Sequence, residues 1–219
     1  MAEELERIYG RRPVAEAQRG RRRVHRVWEA PEIGAGELQR LAGSPDHQGV
    51  VAEVDPYPYA DAADLLAQRG SLLVALDQVQ DPRNLGAVCR SAEVAGAAGV
   101  VIPERRAAAV TAVACKASAG AVEHLPVARV RNLADWLGEA REAGFWAWGA
   151  DASAPTRHSD ADLSGGTVLV LGGEGKGLRP RVISACDGLV AIPRAGRVES
   201  LNVAAAAAVL LFEALRQRG

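Results

Sequence analysis

From residue 71 to the C-terminus, short runs of apolar residues alternate with stretches in which apolar positions recur every three or four residues. The apolar runs predict buried strands, and the spacing of three or four residues predicts amphipathic helices. The predicted strands lie at 71–77, 99–103, 125–130, 145–150, 167–171 and 188–193. The predicted helices lie at 82–96, 107–118, 132–143, 179–185 and 200–217. Because strands and helices alternate, we expect an α/β fold with a parallel sheet and helices on both of its faces.

The first 70 residues have a different pattern. Two short apolar runs, at 24–30 and 48–54, predict strands, and the segment between them predicts a helix near 36–42. The next segment, "DPYPYADAADLLAQRG" (55–70), combines two prolines with polar and small residues, which is typical of a linker. The sequence therefore predicts a small N-terminal α/β domain over 1–54, a linker over 55–70 and a larger domain over 71–219.

Composition narrows the class of protein. Of the 219 residues, 48% are hydrophobic, as in a globular chain. No apolar stretch reaches the roughly 18 residues of a membrane-spanning helix, and the N-terminus has no apolar signal region. The three cysteines, Cys89, Cys115 and Cys186, are far apart and form no CxxC pair, so neither a disulfide framework nor a metal site is indicated. We therefore expect a cytoplasmic protein with no membrane partner and no bound metal.

Positive charge is concentrated near the N-terminus, although the formal net charge of the chain is only −1. The stretch 9–26 contains seven arginines and one glutamate. Arginine suits phosphate and base-stacking contacts, so we predict that this stretch binds nucleic acid, with a solvated basic face as the alternative. The residues assigned to this contact are Arg11, Arg12, Arg21, Arg22 and Arg23.

A glycine-rich segment, "VLVLGGEGKGL" (168–178), begins within the predicted strand at 167–171. Segments of this kind often hold phosphate groups. A P-loop, however, requires a glycine where Val170 stands and a serine or threonine where Gly177 stands. The dinucleotide fingerprint also fails, because Leu178 occupies the position of its third glycine. Neither a P-loop nor a dinucleotide site is therefore indicated here.

Polar residues gather in three segments that follow predicted strands, where parallel sheets bind their ligands. The segments are 77–92, 172–178 and 192–208. Taken singly, their polar residues fit turns and helix caps, with Ser200 as the N-cap of the last helix. Taken together, the glycines and the flanking apolar residues favour a flat heterocycle with a small cationic group. On the helix at 82–96, Arg83, Gly86 and Arg90 share one face, where Gly86 leaves room for a phosphate.

Three segments occur in order along 71–219: "DPRNLGAVCRSAEVAGAAGVVIP", "LVLGGEGKGL" and "IPRAGRVESLNVAAAAAVLLFEALR". They resemble the three motifs of the SpoU (TrmH-type) RNA ribose 2'-O-methyltransferases of the SPOUT superfamily. The segments "IYGRRPVAEA" and "HQGVVAEV" resemble the RlmB branch, which methylates a guanosine of 23S ribosomal RNA. In that branch the N-terminal domain is an RNA binder similar to ribosomal protein L30e, and here it is shorter.

The resemblance implies a SPOUT-type knotted parallel sheet, in which the last third of the chain forms a deep trefoil knot that binds S-adenosylmethionine. The residues expected to line the cofactor pocket are Gly172, Gly173, Ile192, Leu201 and Val203. The residues expected to be catalytic are Asn84, Arg90, Glu174, Ser200 and Asn202. The resemblance also implies an RNA substrate, and we add Arg83 as a residue that contacts it. It further implies a homodimer with its active site near the subunit interface.

Several alternatives stay open from the sequence. Arg90 is either the base that takes the 2'-hydroxyl proton or a clamp for a phosphate, and an arginine that stays protonated at neutral pH favours the clamp. The substrate is a guanosine of 23S ribosomal RNA, or instead a transfer RNA guanosine or a ribosomal RNA site linked to antibiotic resistance. A non-catalytic RNA-binding module of ribosome assembly is a further hypothesis, which the intact motifs disfavour.

Overall fold

The structure is a computed structural model of the 219-residue chain and describes residues 5–173, 175 and 177–219. Glu174, one of the predicted catalytic residues, lies outside the described residues. The strands are β1 (Glu6–Tyr9), β2 (Val24–Glu29), β3 (Val50–Val54), β4 (Leu72–Asp77), β5 (Gly99–Pro103), β6 (Val127–Val130), β7 (Trp146–Ala150), β8 (Thr156–Arg157), β9 (Thr167–Gly172) and β10 (Gly188–Ala191). The α-helices are α1 (Arg11–Ala17), α2 (Ala35–Ala42), α3 (Ala62–Leu66), α4 (Pro82–Val94), α5 (Ala112–Ala117), α6 (Leu133–Glu142), α7 (Pro180–Ala185) and α8 (Val203–Gln217).

Backbone contacts divide the chain into two compact units, each built from separate stretches. The described part of the first comprises residues 5–58, Pro82–Arg90 and Ala109–His124. The second comprises Tyr59–Asp81, Ser91–Ala108 and Leu125–Gly219. The first unit therefore includes two stretches that come from the predicted larger domain, and the domain bounds along the chain stay a prediction.

The first unit is built on a three-stranded antiparallel sheet in the order β1-β3-β2. The central strand β3 is almost entirely apolar, and Val51 packs with Tyr9 and Leu38 in a small core. Successive side chains of a strand point to opposite faces, and the next residue, Ala52, is also fully buried. Both faces of β3 are thus covered, which explains the continuous apolar run at this position.

A buried ion pair links the arginine-rich stretch to a later part of the first unit. The side chains of Arg22 and Glu123 are 1% and 0% exposed. Arg22 Nε donates to Glu123 Oε2 at 2.9 Å, and Arg22 Nη2 donates to Glu123 Oε1 and lies 3.3 Å from Cys115 Sγ. Burial alone would lower the pKa of the Arg22 guanidinium, but its hydrogen bonds to Glu123 raise that pKa overall. The sequence assigns Arg22 to nucleic-acid binding, and the structure corrects this, because the buried side chain is not available to a phosphate.

Replacing Glu123 with glutamine should destabilise the protein by about 2–3 kcal/mol, because the buried Arg22 charge loses its main partner. The cost stays below that of an isolated buried charge, since Glu6 Oε2 still lies 3.1 Å from Arg22 Nη1. The melting temperature of a chain of this length should fall by about 4–12 °C. Thermal melts beside the exposed control Glu93→Gln check this, and equal melting temperatures would mean that the pair contributes no stability.

The second unit contains a seven-stranded sheet in the order β6-β5-β4-β9-β7-β10-β8. All of its neighbouring strands pair in parallel, which confirms the predicted parallel α/β fold. The register of the central pair runs from Leu72 opposite Thr167 to Asp77 opposite Gly172. This register places the end of β4 directly beside the start of the glycine-rich loop.

Helices of the second unit bury the strands of this sheet. Val168 and Val170 of β9 share one core cluster with Leu137 of α6 and Val182 of α7. Because side chains alternate along a strand, Leu169 and Leu171 face the opposite side of the sheet, and both are also buried. The C-terminal helix α8 packs against β9 and buries Val203, Ala207, Leu210, Leu211 and Ala214. Within the described part of the chain, every helix is too short or too polar to cross a membrane.

Most predicted elements agree with the structure within two residues, but two helix starts are wrong. Helix α5 begins at Ala112 rather than 107, and α8 begins at Val203 rather than 200. The sequence pattern also misses β1, α1 and the two-residue β8. The segment predicted as a linker contains α3, which Asp61 caps by accepting a hydrogen bond from the Ala63 amide at 2.9 Å. Short elements of this kind contain too few turns for their apolar spacing to be recognised.

Candidate functional site

A cavity of about 400 Å³ opens at the carboxyl ends of three neighbouring strands of the second unit, β9, β7 and β10. The glycine-rich loop after β9, the residues that follow β7 and the segment that leads into α8 form its walls. Parallel sheets bind ligands at this edge, and small-molecule pockets have volumes of roughly 300–1,000 Å³. The position and the size of the cavity therefore make it the candidate ligand site of this unit.

The two glycines at the end of β9 are required by close backbone contacts. A Cβ atom on Gly172 would overlap the backbone carbonyl group of Gly177. A Cβ atom on Gly173 would overlap the carbonyl oxygen of Gln78. The Gly177 amide donates to the Gly173 carbonyl at 3.2 Å, which closes the loop on itself. The glycines thus let the loop fold tightly against the end of β4, so the glycine-rich composition has a structural cause.

One buried residue, Asp77, fastens both ends of this loop, one end through its backbone carbonyl and the other through its carboxylate. Asp77, the last residue of β4, is fully buried, and its carbonyl oxygen accepts a hydrogen bond from the Gly173 amide at 2.8 Å. Its carboxylate accepts from the backbone amide of Arg179 at 2.9 Å and from Arg179 Nε at 2.8 Å. Asp77 therefore holds the residue that precedes α7 and the residue that begins the loop. This role of Asp77 is not evident from the sequence, because the contact joins positions 102 residues apart.

Replacing Asp77 with asparagine should lower the free energy of unfolding by about 2 kcal/mol, because an amide keeps one acceptor but loses the charge-assisted bonds to Arg179. The matched control is Asp135→Asn, which breaks the exposed pair between Asp135 and Arg181, whose side chains are 58% and 72% exposed. An exposed pair of this kind contributes about 0–1 kcal/mol. Urea unfolding of both variants checks the prediction, and equal losses would show that Asp77 is no anchor.

The start of α8 forms another wall of the cavity. Asn202 is the N-cap of this helix, since its Oδ1 accepts a hydrogen bond from the Ala204 amide at 2.9 Å. The expectation that Ser200 is the N-cap is therefore wrong, and Ser200 instead lines the cavity. Leu201 also lines the cavity and remains 50% exposed. An apolar side chain with this much exposure beside a cavity is available to contact a ligand.

The structure brings together all five residues expected to line a cofactor pocket. Around this one cavity lie Gly172, Gly173, Ile192, Leu201 and Val203. The described lining includes Gly175 and Gly177, and its charged side chains are Asp151, Arg194 and Glu199. These three residues are not evident as site residues from the sequence, because each lies in an irregular segment after a strand. That the cavity binds a cofactor stays a prediction.

The residues predicted on α4 belong to the first unit. Arg83 and Arg90 are exposed. Asn84 is half-buried and interacts with another group of the protein. Gly86 leaves no room for a phosphate, because a Cβ atom there would overlap the carbonyl oxygen of Ala114 and come within 2.7 Å of the Ala117 side chain. The small residue at this position instead permits close packing of α4 against α5.

The remaining predicted arginines differ in their contacts. Arg11, Arg12, Arg21 and Arg23 are all exposed. Arg21 donates through Nη2 to the Tyr57 hydroxyl at 3.3 Å and to the Val122 carbonyl at 3.4 Å, so its side chain is partly engaged within the first unit. Arg11 is engaged in a similar way, since its Nε donates to the Gln48 carbonyl at 3.2 Å, and all four exposed arginines remain accessible to nucleic acid.

Among the described residues, neither the three cysteines nor any group of metal-ligating side chains forms a reactive centre. Burial raises the pKa of the Cys89 and Cys115 thiols to about 12, and burial likewise raises that of Cys186 to about 12. These thiols are protonated at neutral pH and are poor nucleophiles. Among the described residues, no three His, Cys, Asp or Glu side chains come together as ligands of a metal ion.

Comparisons with known proteins relate these features to one family. Residues 71–212 match the model of the SpoU rRNA Methylase family. An uncharacterized tRNA/rRNA methyltransferase of Synechocystis is 38% identical to this chain over 99% of the chain, which spans 64% of that protein. YacO of Bacillus subtilis, named in the TrmH family of tRNA/rRNA methyltransferases, is 37% identical over 100% of this chain and 98% of its own.

A solved structure extends the similarity to both units of the chain. The SpoU methyltransferase AviRb from Streptomyces viridochromogenes, in complex with the cofactor AdoMet, has a TM-score of 0.80 and 31% sequence identity. The match covers 98% of this chain and 90% of that one. AviRb therefore shares the fold over nearly the whole length described above, and its structure contains S-adenosylmethionine.

Proposed function

The chain belongs to the SpoU rRNA methylase family, and from this premise we propose that it is an S-adenosylmethionine-dependent RNA methyltransferase that acts on a ribose 2'-hydroxyl. The observation that carries the proposal is the cavity at the carboxyl ends of β9, β7 and β10, around which the five expected cofactor residues meet. S-adenosylmethionine is the cofactor of SpoU methyltransferases, and the AviRb structure contains it.

The chemistry of the cavity walls fits this cofactor. The apolar side chains of Ile192, Leu201 and Val203 suit the flat adenine ring, and the glycine-rich loop offers main-chain groups for hydrogen bonds. The carboxylates of Asp151 and Glu199 complement the cationic ammonium and sulfonium groups. When bound, S-adenosylmethionine supplies an electrophilic methyl group.

Transfer to the ribose requires alignment and the removal of one proton. The 2'-oxygen forms a bond to the methyl carbon while the carbon–sulfur bond breaks and its electron pair stays on sulfur. We assign Asn84, Arg90, Glu174, Ser200 and Asn202 to this step on the family motifs. Arg90 would clamp a neighbouring phosphate and stabilise negative charge that develops on the 2'-oxygen, and the alternative role of a base stays open. Proton loss to solvent water is compatible with the clamp.

For the RNA we propose a guanosine of 23S ribosomal RNA, on the resemblance of the N-terminal segments to the RlmB branch. In this proposal the residues of 1–54 bind RNA as a shortened L30e-like domain, the last third of the chain is knotted, and the protein acts in the cytoplasm. The exposed Arg11, Arg12 and Arg23, together with Arg83 on α4, are consistent with phosphate contacts. A transfer RNA guanosine is the second candidate, because the names of the two curated relatives cover both RNA classes.

A homodimer is part of the proposal. Helix α8 exposes three apolar side chains in a row along one side, with Val209, Phe212 and Leu215 exposed to 37%, 48% and 40%. Large exposed apolar side chains spaced three residues apart on one helix are typical of a contact surface. This feature supports the dimer that the family resemblance implies.

The test of the substrate is a map of ribose methylation in ribosomal and transfer RNA from cells with and without the gene. We expect one 2'-O-methylguanosine of 23S ribosomal RNA to disappear in the deletion strain and to return on complementation. Loss of a transfer RNA position instead would select the second candidate. If no methylated ribose changes although the purified protein binds S-adenosylmethionine, the proposed ribose specificity is wrong.

A further inference from the structure

Three exposed arginines lie at the edge of the second unit's sheet where β5 and β6 end. Arg105 and Arg106 follow β5, and Arg131 follows β6. We call these three residues the arginine edge. None of them belongs to the stretch at 9–26 or to the family motifs, so no role for them is evident from the sequence.

Backbone pairing brings the three residues together. Pro103 is paired with Val130 across the two parallel strands, and the Glu104 amide donates to the Val130 carbonyl at 2.9 Å. Arg105 and Arg131 therefore each follow residues that are directly bonded to one another. Strands that pair in this way are about 4.8 Å apart, so the guanidinium groups can reach one ligand together.

The charge of the arginine edge is not neutralised locally. Across the described part of the chain, no carboxylate forms an ion pair with Arg105, Arg106 or Arg131. Glu104 is exposed beside them, which leaves a local excess of two positive charges from three arginines and one glutamate. Other exposed arginines of this unit, such as Arg181, are paired with a carboxylate.

One backbone angle at this edge is unusual. Arg106 has a φ of +60°, in the left-handed region that glycine or asparagine adopts more readily than arginine. Residues held in such conformations cluster at functional sites. The loop thus carries a charged side chain at a position where a smaller residue would be less strained.

The arginine edge lies on the same side of the sheet as the cavity. All strands of this sheet are parallel, so the ends of β5 and β6 face the same way as the end of β9. In the strand order, β6 is three steps from β9, which corresponds to about 14 Å. A single-stranded RNA that places a ribose at the cavity could extend over this distance within a few nucleotides.

We infer that the arginine edge binds the phosphate backbone of the substrate RNA beside the nucleotide to be methylated. The inference rests on the proposed function and adds a substrate surface within the second unit. Arginine suits this task because its planar fork donates several hydrogen bonds to phosphate oxygens. Contacts to phosphates position an RNA without reading its sequence. The arginine edge would therefore position the RNA strand and leave the choice of the target nucleotide to other residues.

The test compares two double variants that remove the same charge from different parts of the sheet, since Arg69 precedes β4 and Arg157 ends β8, the outer strand farthest from β6. Arg105→Gln with Arg131→Gln alters the arginine edge, and Arg69→Gln with Arg157→Gln is the matched control, since Arg69 and Arg157 are exposed and form no ion pair with a described carboxylate. The probe is a fluorescent single-stranded RNA of mixed sequence, titrated at several salt concentrations. The edge variant should weaken binding by tenfold or more and lower the slope of log K against log salt by about 1.4, or about 0.7 for each lost contact.

Further measurements separate this inference from the proposed function. Arg105→Lys with Arg131→Lys should keep most of the salt dependence, because lysine still neutralises a phosphate. S-adenosylmethionine binding by the edge variant should equal that of the wild type; if the wild type itself binds none, the proposed function fails independently of the RNA result. RNA affinity and slope equal to those of the control variant would overturn the inference. Loss of binding to polyglutamate with unchanged RNA binding would also overturn it, since the edge would then be a surface for acidic proteins.

Discussion

Arg90→Ala should lower kcat for RNA methylation by about 10²–10⁴-fold, because in the proposed mechanism the variant loses the group that stabilises charge on the reacting 2'-oxygen. Its affinity for S-adenosylmethionine should stay within about twofold of the wild type, a change below about 0.4 kcal/mol. The structural reason is that Arg90 is exposed on α4 in the first unit, whereas the cavity is lined by residues of the second unit. Calorimetry for the cofactor and single-turnover kinetics at saturating RNA measure the two quantities separately.

Two further variants serve as controls for the Arg90→Ala result. Arg69→Ala removes an exposed arginine at the other end of the β4 strand and should leave kcat unchanged. Arg90→Lys should retain part of the activity if the residue clamps a phosphate, since the charge remains. If Arg90→Ala instead loses cofactor affinity at unchanged kcat, the role assigned to Arg90 is wrong.

Gly172→Ala should weaken S-adenosylmethionine binding by about 100-fold. A methyl group at this position would overlap the backbone carbonyl group of Gly177, which cannot move without displacing the loop that lines the cavity. Forcing an extra carbon into a packed site costs about 1–3 kcal/mol, and the upper end applies because the obstacle is backbone. At about 1.4 kcal/mol for each factor of ten, this cost corresponds to the expected loss.

The control for Gly172→Ala is another glycine without this constraint. Gly165→Ala places its methyl group in open space, and the φ angle of Gly165 lies outside the left-handed region. This variant should bind the cofactor as the wild type does. Calorimetric titrations of both variants decide the matter, and wild-type affinity in Gly172→Ala would show that the loop is not part of the binding site.

The sheet of the second unit could be predicted because its strands β4, β5 and β9 are almost entirely buried and therefore consist of continuous apolar runs. The run "LLVALD" of β4 and the run "GVVIP" of β5 are buried at every position, as expected for central strands of a parallel sheet. Helix starts were less accurate, since caps depend on single side chains. Asn202 rather than Ser200 caps α8, and both residue types are acceptable at that position. In the N-terminal unit, β2 and β3 were predicted and β1 was missed, so the order of its sheet became evident only from the structure.

In the candidate site, too, features carried by short sequence motifs could be predicted, whereas contacts between distant positions of the chain could not. Its cofactor residues were expected from the resemblance of the motifs, and the structure places them around one cavity. Contacts between positions far apart in the chain could not be predicted. The pair of Arg22 with Glu123 converts an apparently basic surface residue into a buried structural one. The contact of Gly86 with Ala114 likewise fills the space that the helix face alone suggested was free.

The most direct test of the central claim is a methyl-transfer assay with the purified protein. The protein is incubated with S-adenosylmethionine carrying an isotope-labelled methyl group and with unmodified 23S ribosomal RNA, and the RNA is digested to nucleosides for mass spectrometry. We predict a labelled 2'-O-methylguanosine that appears with the wild type, is lost with Arg90→Ala and is greatly reduced with Gly172→Ala at limiting cofactor. A label on a base instead of a ribose, or no labelled nucleoside from a folded protein that binds neither cofactor nor RNA, would contradict the claim.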